Sequence, residues 1–433
     1  MNIAASKVSE AVGLVIGIVF ISGLVIEFTF SRLLKKQVVS AEHLILNLSI
    51  ASLQQITDVV NKVVFITAFA YVQQHCSIAQ WLQFKYSWQL NPFAPSNGFL
   101  HFSIRPLVVF NYVFVLLLAD FCQYWLHRFS HEVNIMWAGH ITHHSNTEYN
   151  YGVALRQSAI ENIYTWVFFM PLAFFGIPWQ MFIAAYAISL IWQFLVHTQL
   201  VNKLGVLEYF MSTPSHHRVH HGKNPQYIDK NYGAFLIIWD KLFGSFEPEV
   251  EPVEYGITKP LENMNPVWCN VHHHVSIFNA LKSAESRGKK WRVLFGAPVV
   301  MPVTGNTGKK AKHITFTAQP EKKGYVFINY LLAATATFWA INYSGGLKNT
   351  GAYLIISAIA VFQFSLFAAL LQNKRWADYA EVIRLCVIAV VGVVVLSAGR
   401  VVDIGTAIIT TALLLLLFTQ FIAARYRKNF ATT

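Results

Sequence analysis

The chain has 433 residues, of which 55% are hydrophobic and 12% charged, with a mean hydropathy of +0.43. That balance excludes an ordinary soluble domain and predicts an all-α polytopic membrane protein, a transmembrane helical bundle. The net charge of +12 accompanies aromatic-rich apolar runs, so anionic lipid headgroups rather than nucleic acid are the expected partner.

A membrane span needs about 20 apolar residues. Residues 11–30 satisfy this, lack a small-residue cleavage pattern and are followed by Arg32, Lys35 and Lys36. They read as a retained first span with its basic end in the cytoplasm, and no targeting signal is evident. Residues 44–72 form a second long helix whose Gln54, Gln55, Asp58 and Asn61 should face other helices. After a loop containing Trp and Pro, a third span starts at Pro106 and ends at Trp125, which leaves His127 where the helix emerges from the bilayer. Residues 162–176 and 178–200 read as a helical hairpin, spanning or re-entrant, that turns at Gly176-Ile177-Pro178. Both of its ends return to the histidine side.

Residues 201–324 are polar and turn basic toward the end, through Lys289, Lys290, Arg292, Lys309, Lys310, Lys312, Lys322 and Lys323. The positive-inside rule places them in the cytoplasm as a catalytic cap followed by a tether. Four more spans are expected at 325–343, 352–371, 382–396 and 401–424, with Lys374, Arg375, Arg425, Arg427 and Lys428 inside. Nine spans with the N-terminus outside and the C-terminus inside fit these charges, against which only Arg400 runs. The resulting divisions are an N-terminal transmembrane region (1–104), a catalytic domain (105–250), a basic cytoplasmic tether (251–324) and a C-terminal four-helix region (325–433). No internal repeat is apparent.

Three histidine clusters carry the chemistry: His127 and His131; His140, His143 and His144; and His217, His220 and His221. Separations of three and four residues put side chains on one helix face, and neutral imidazole suits iron, zinc, copper or nickel. Each such ion needs only about four to six ligands, so this many histidines imply two metals. A single hydrolytic zinc would leave most of them unexplained. The three clusters are expected to converge at the cytoplasmic rim, joined by His197, because a titratable group at the end of an apolar span is costly without a function. His216 adjoins the last cluster but points away from it on a simple helix, and both readings stay open. Asp120, Gln123, Glu132, Asn146 and Asp229 are candidates to accept the outer ring N–H of a metal-bound imidazole. The run His272-His273-His274 lacks helical spacing and reads as solvated, as do the scattered His43, His75, His101 and His313. Tyr149, Tyr151, Arg156 and Gln157 are near enough in sequence to meet a headgroup, while Tyr124, Trp125, Phe168, Phe169, Phe174 and Phe175 line a lipid-tail path or simply pack. The four dispersed cysteines support neither a disulfide scaffold nor a thiolate metal site.

Two redox metals on an all-nitrogen shell at the mouth of a membrane bundle suit O2 activation and attack on an unactivated C–H bond of a membrane-dissolved lipid. Apolar helices would deliver the tail and exclude water. A histidine-lined metal transporter is the non-enzyme alternative, but it would place its titratable groups near the bilayer midplane rather than at helix ends. No dinucleotide-binding glycine motif, cysteine set or cytochrome domain is visible, so electrons must come from a separate donor.

The runs His127-Arg-Phe-Ser-His131, His140-Ile-Thr-His143-His144 and His216-His217-Arg218-Val219-His220-His221-Gly222 resemble the fatty acid hydroxylase/sterol desaturase superfamily. Asp229-Lys-Asn-Tyr-Gly233 and Ile238-Trp-Asp-Lys-Leu-Phe-Gly-Ser-Phe246 resemble its alkylglycerol monooxygenase branch. The resemblance implies a membrane-bound non-haem diiron monooxygenase with two iron ions held by the eight motif histidines as its catalytic centre. It also implies O2 as oxidant, tetrahydrobiopterin as electron source, and conversion of a glyceryl ether to an aldehyde and glycerol. A sterol or fatty acid hydroxylase or desaturase fed by an external redox protein is the alternative. The membrane expected is the inner membrane of a bacterium or the endoplasmic reticulum of a eukaryote.

Overall fold

The computed structural model describes residues 3–82, 93–95, 102–261, 263–298, 318, 320–343 and 346–397. Among these residues the regular secondary structure is helical apart from two isolated bridges and one antiparallel ribbon, in which Phe93–Pro95 pairs with Phe102–Ile104 in the register Phe93↔Ile104. Five helical segments are long and apolar enough to cross a membrane: Gly13–Leu33, Ala41–His75, Pro106–Glu132, Pro320–Tyr343 and Gly346–Leu371. This is an integral, multi-pass membrane architecture.

The described chain divides into two compact units. In the first, the Pro106–Glu132 helix starts on a proline, whose missing N–H costs nothing in the first turn. The helix continues past Trp125, the end expected from hydropathy, as far as Glu132. Its polar last turns are sustained by the Arg128–Glu132 ion pair at 2.9 Å and by burial of the histidine face. His127 and His131 therefore ride the same helix as the apolar span. Val133 is extended, and a second helix, Asn134–His144, starts directly after it.

The expected hairpin is present, and it turns at Gly176, whose φ of +82° suits a residue without a Cβ. Its arms are Asn162–Phe174, broken by a 3-10 turn at Trp166–Phe169, and Trp179–Leu195. At 1.5 Å per residue these arms measure roughly 20 and 26 Å, short of the ~30 Å hydrocarbon core. They pack instead against the long helices. Phe69, Val115, Ala119, Leu126, Phe169, Leu172, Met181 and Phe182 form a buried cluster there.

The stretch expected as a tether contains two helices, Pro266–Ser283 and Arg287–Phe295. His101, Lys309, Lys310, Lys312 and His313 lie outside the described residues, as do Arg400, the last expected span at 401–424 and the basic residues after it. The second unit contains Pro320–Tyr343, Thr350–Leu371 and Arg375–Ser397, which hold three of the four expected C-terminal spans. Inside it the Arg384 guanidinium donates to the Glu381 carboxylate and to Asn329 Oδ1, both at 2.6 Å, so these buried charges are paired.

Candidate metal centre

The three histidine clusters and His197 converge in two adjacent groups within the first unit. His127, His131, His140, His144 and His220 form one group, and His143, His197, His217 and His221 form the other. Within each group the candidate ligand atoms all lie within 4.8 Å of one another. All nine rings are at most 7% exposed. Helix spacing explains the sorting: His140 and His144, four residues apart on Asn134–His144, face one group, while His143 is turned to the other. The short Pro214–His220 helix and the residue after it split likewise. The groups share a wall, with the His144 and His221 rings stacked at 4.3 Å.

The hydrogen bonds show which ring nitrogens face inward. Nδ1–H of His127 donates to the Tyr232 carbonyl at 2.7 Å and that of His220 to the Lys230 carbonyl at 3.0 Å. His140 Nδ1 meets Glu161 Oε1 at 3.0 Å. In the other group His197 Nδ1 meets the Gln193 carbonyl at 2.5 Å and His143 Nδ1 the Arg156 carbonyl at 3.3 Å, with the Gln157 amide 3.2 Å away. A neutral imidazole has one proton, and an Nδ1 donor leaves Nε2 as a bare lone pair. These Nε2 atoms point at each other. His127 to His140, His140 to His144, and His144 to His220 are each 3.1 Å apart. In the second group His143 to His197 is 3.2 Å and His197 to His217 is 3.0 Å. His131 Nε2 and His221 Nε2 are buried without any partner. Where both rings carry their proton on Nδ1, as at His127–His140 and His143–His197, the converging lone pairs repel unless a cation sits among them. Nitrogens about 3 Å apart also match neighbouring ligands on an ion with ~2.1 Å metal–nitrogen bonds. The residues therefore fit two metal ions, one per group.

Electrostatics agree. Burial, reinforced by the neighbouring rings, holds His143, His144, His217, His220 and His221 well below the ordinary value of 6.5. Burial takes His197 down to about 4. All six are neutral near pH 7, the form a metal requires.

Other candidate residues fall in different places. His216 lies outside both groups, with Nε2 3.2 Å from Glu208 Oε2 and Nδ1 3.3 Å from the Met211 carbonyl. Asp229 Oδ1 stands 3.5 Å from His131 Nδ1. Asp120 does not reach a histidine: it accepts from the Phe235 and Leu236 amides and from the Trp239 indole N–H. Glu132 pairs with Arg128, Asn146 Oδ1 accepts from the Glu148 amide, and the Gln123 carbonyl oxygen is buried without a partner. Arg156 is fully buried and donates to the Thr142 carbonyl and Ser145 Oγ, so it ties the Asn134–His144 helix down rather than meeting a headgroup. Tyr149 is also enclosed, stacked on His197 and Tyr255. His273 Nε2 meets Asn134 Oδ1 at 2.7 Å, away from both groups. Glu161 and the four carbonyls were not anticipated. Carbonyls leave no trace in a sequence, but Glu161 was visible as a carboxylate at the lip of an apolar segment, which calls for a partner.

A membrane-embedded helical protein with two adjacent, buried, all-histidine groups, each suited to a metal ion, is the class that fold and site define. Residues 112–245, which contain all nine histidines, match the model of the Fatty acid hydroxylase family. The chain is 49% identical over 180 residues to Alkylglycerol monooxygenase of Xenopus tropicalis, covering 42% of this chain and 40% of the relative. It is 48% identical over 180 residues to Alkylglycerol monooxygenase of Homo sapiens, with the same shares. Ornithine lipid hydroxylase OlsE of Rhizobium tropici is 32% identical over 161 residues, covering 35% of this chain and 46% of that protein. The chain thus spans less than half the length of these three curated relatives. No solved structure matches.

Proposed function

We propose that this protein is a membrane-bound non-haem diiron monooxygenase that cleaves the ether bond of alkylglycerols. The observation that carries the reading is the pair of converging histidine groups inside the residues that match the Fatty acid hydroxylase model, in a chain 48–49% identical over 180 residues to alkylglycerol monooxygenases. One iron would be held by His127, His131, His140, His144 and His220 and the other by His143, His197, His217 and His221. Iron bound there would supply O2 activation. One oxygen atom enters the C–H bond beside the ether oxygen. The other leaves as water, taking two electrons and two protons from the donor. The resulting hemiacetal breaks its C–O bond to give an aldehyde and glycerol.

The chain's own residues set the conditions. The carbonyls of Tyr232, Lys230, Gln193 and Arg156 fix the ring orientations, and the burial of all nine rings keeps bulk water out. The sequence offers no electron carrier of its own, which supports an external donor such as tetrahydrobiopterin. The basic residues flanking the spans support a cytoplasmic active site and contact with anionic headgroups. The test is metal stoichiometry together with O2-dependent turnover of an alkylglycerol, with tetrahydrobiopterin or a reduced ferredoxin or cytochrome as donor. Two irons and pterin-dependent aldehyde release are expected. Two irons with activity only on a sterol or acyl lipid would keep the centre and discard the substrate.

A further inference from the structure

The two histidine groups have different surroundings. Every carboxylate that meets a motif ring among the described residues meets the five-histidine group: Glu161 on His140 at 3.0 Å and Asp229 on His131 at 3.5 Å. In the four-histidine group, His143 and His197 face main-chain carbonyls, and His217 Nδ1 is buried with no partner. A carboxylate accepting the outer N–H of an imidazole pushes electron density onto the inward nitrogen and makes it a stronger ligand. Its negative charge, in a site of low dielectric, also favours a cation nearby. Ligand number adds to the same bias, five against four.

The fold holds Glu161 in place. It precedes the Asn162–Thr165 helix, and its main-chain oxygen accepts the Thr165 hydroxyl at 3.0 Å. Gly139, next to His140, lets the Asn134–His144 helix come close: a Cβ there would stand 3.2 Å from the Glu161 Cα. The Tyr164 hydroxyl donates to the Met136 carbonyl at 2.8 Å and ties the same two segments together.

We infer that Glu161, seconded by Asp229, is a positioning residue that makes the five-histidine group the tighter of two unequal metal positions. The four-histidine group fills second and empties first. The inference rests on the two-metal reading above but not on any substrate or donor.

The experiment is a titration of full-length, detergent-purified, metal-stripped protein with Co(II), followed by its visible absorption and by bound-metal analysis. The native protein should bind two ions in two resolved steps. E161Q keeps the shape and an acceptor oxygen but removes the charge. It should weaken the tighter step by roughly 10- to 100-fold and leave the weaker step in place. D229N should act in the same direction by a smaller factor, and it reports on the idea even if E161Q does not fold. H143A should remove the weaker step and spare the tighter one. Unchanged isotherms in E161Q, or in D229N where E161Q cannot be purified, would overturn the inference, as would equal weakening of both steps. Two bound ions with a single affinity in the native protein would overturn the asymmetry alone, whereas fewer than two would also sink the two-metal reading.

Discussion

His216 and His217 are neighbours in sequence with opposite fates. The ring of His217 joins three other imidazoles, while that of His216 pairs with Glu208 at 3.2 Å. His217→Ala should therefore abolish turnover and lower the metal content. His216→Ala should keep both metals and lose roughly 1 kcal/mol of stability, because the partly buried Glu208 loses its imidazole partner and keeps only the Leu204 amide. Elemental analysis beside thermal unfolding separates the two, and loss of a metal in His216→Ala would show that the ligand set is drawn wrongly. The same contrast holds between His143 or His220 and His273. Alanine at His143 or His220 should remove metal and activity, whereas His273→Ala removes only a bond to Asn134 and should do neither. At this scale much was legible in the sequence, because a histidine spacing of four residues is a statement about one helix face, whereas the three-residue pairs His140/His143 and His217/His220 divide between the groups. The partners of those rings were less so. Asp120 was expected beside a histidine because a carboxylate in a span needs a partner, yet two amides and an indole of a distant loop satisfy that need equally well.

That loop is the element on which the centre's orientation depends. Residues 229–245 leave the last histidine cluster and return under it, presenting the Lys230 and Tyr232 carbonyls to His220 and His127. Asp229 and Asn231 adopt left-handed φ values of 58° and 54°, which Asp and Asn tolerate better than most residues. The Asn231 amide group locks the second of these turns by donating to the His216 and Glu247 carbonyls. The Asp240 carboxylate accepts from the Tyr232 and Gly233 amides at 2.7 Å each. Gly233 has no room for a side chain, since a Cβ would stand 2.5 Å from the Leu236 carbonyl oxygen and 2.8 Å from Asp240 Oδ2. Gly233→Ala must therefore shift the loop and with it the carbonyl on His127. The expected result is a protein that still folds but binds the tighter metal at least several-fold more weakly, read by metal titration. An unchanged affinity would mean that the loop does not orient His127. The sequence displayed this segment as a motif, Asp229-Lys-Asn-Tyr-Gly233, but not its role. Which carbonyl reaches which ring depends on a fold-back that no local periodicity encodes. The hairpin at 162–195 shows the converse: its turn was readable from Gly176 and Pro178, while the 3-10 break that shortens its first arm was not.

At the scale of the whole molecule, folding buries a large set of imidazoles in a chain whose five long apolar helices were readable from hydropathy, while the two hairpin arms fall short of a span. Neutrality is the condition of that burial. In the unfolded chain each histidine takes up a proton as pH falls through about 6.5. In the folded, metal-free protein His197 does so only near 4, and His143, His144, His217, His220 and His221 stay well below 6.5 because burial penalises the charged ring. Below 6.5 the unfolded state therefore binds more protons than the folded state, so stability rises with pH in that window and is lost as the medium is acidified. The slope reaches up to about 1.4 kcal/mol per histidine for each pH unit, until the folded pKa is passed. The metal-free protein should lose Tm steadily from pH 7 to pH 5, and above pH 7 these groups should contribute no further change. Metal loading should raise Tm throughout without reversing the trend, because the ion and the proton compete for the same nitrogens. Thermal unfolding of the metal-free and metal-loaded forms at matched pH values measures both effects. A metal-free protein whose Tm is flat between pH 7 and pH 5 would mean that water already reaches the rings, and the site would then lack the dry enclosure that C–H oxidation of a lipid demands.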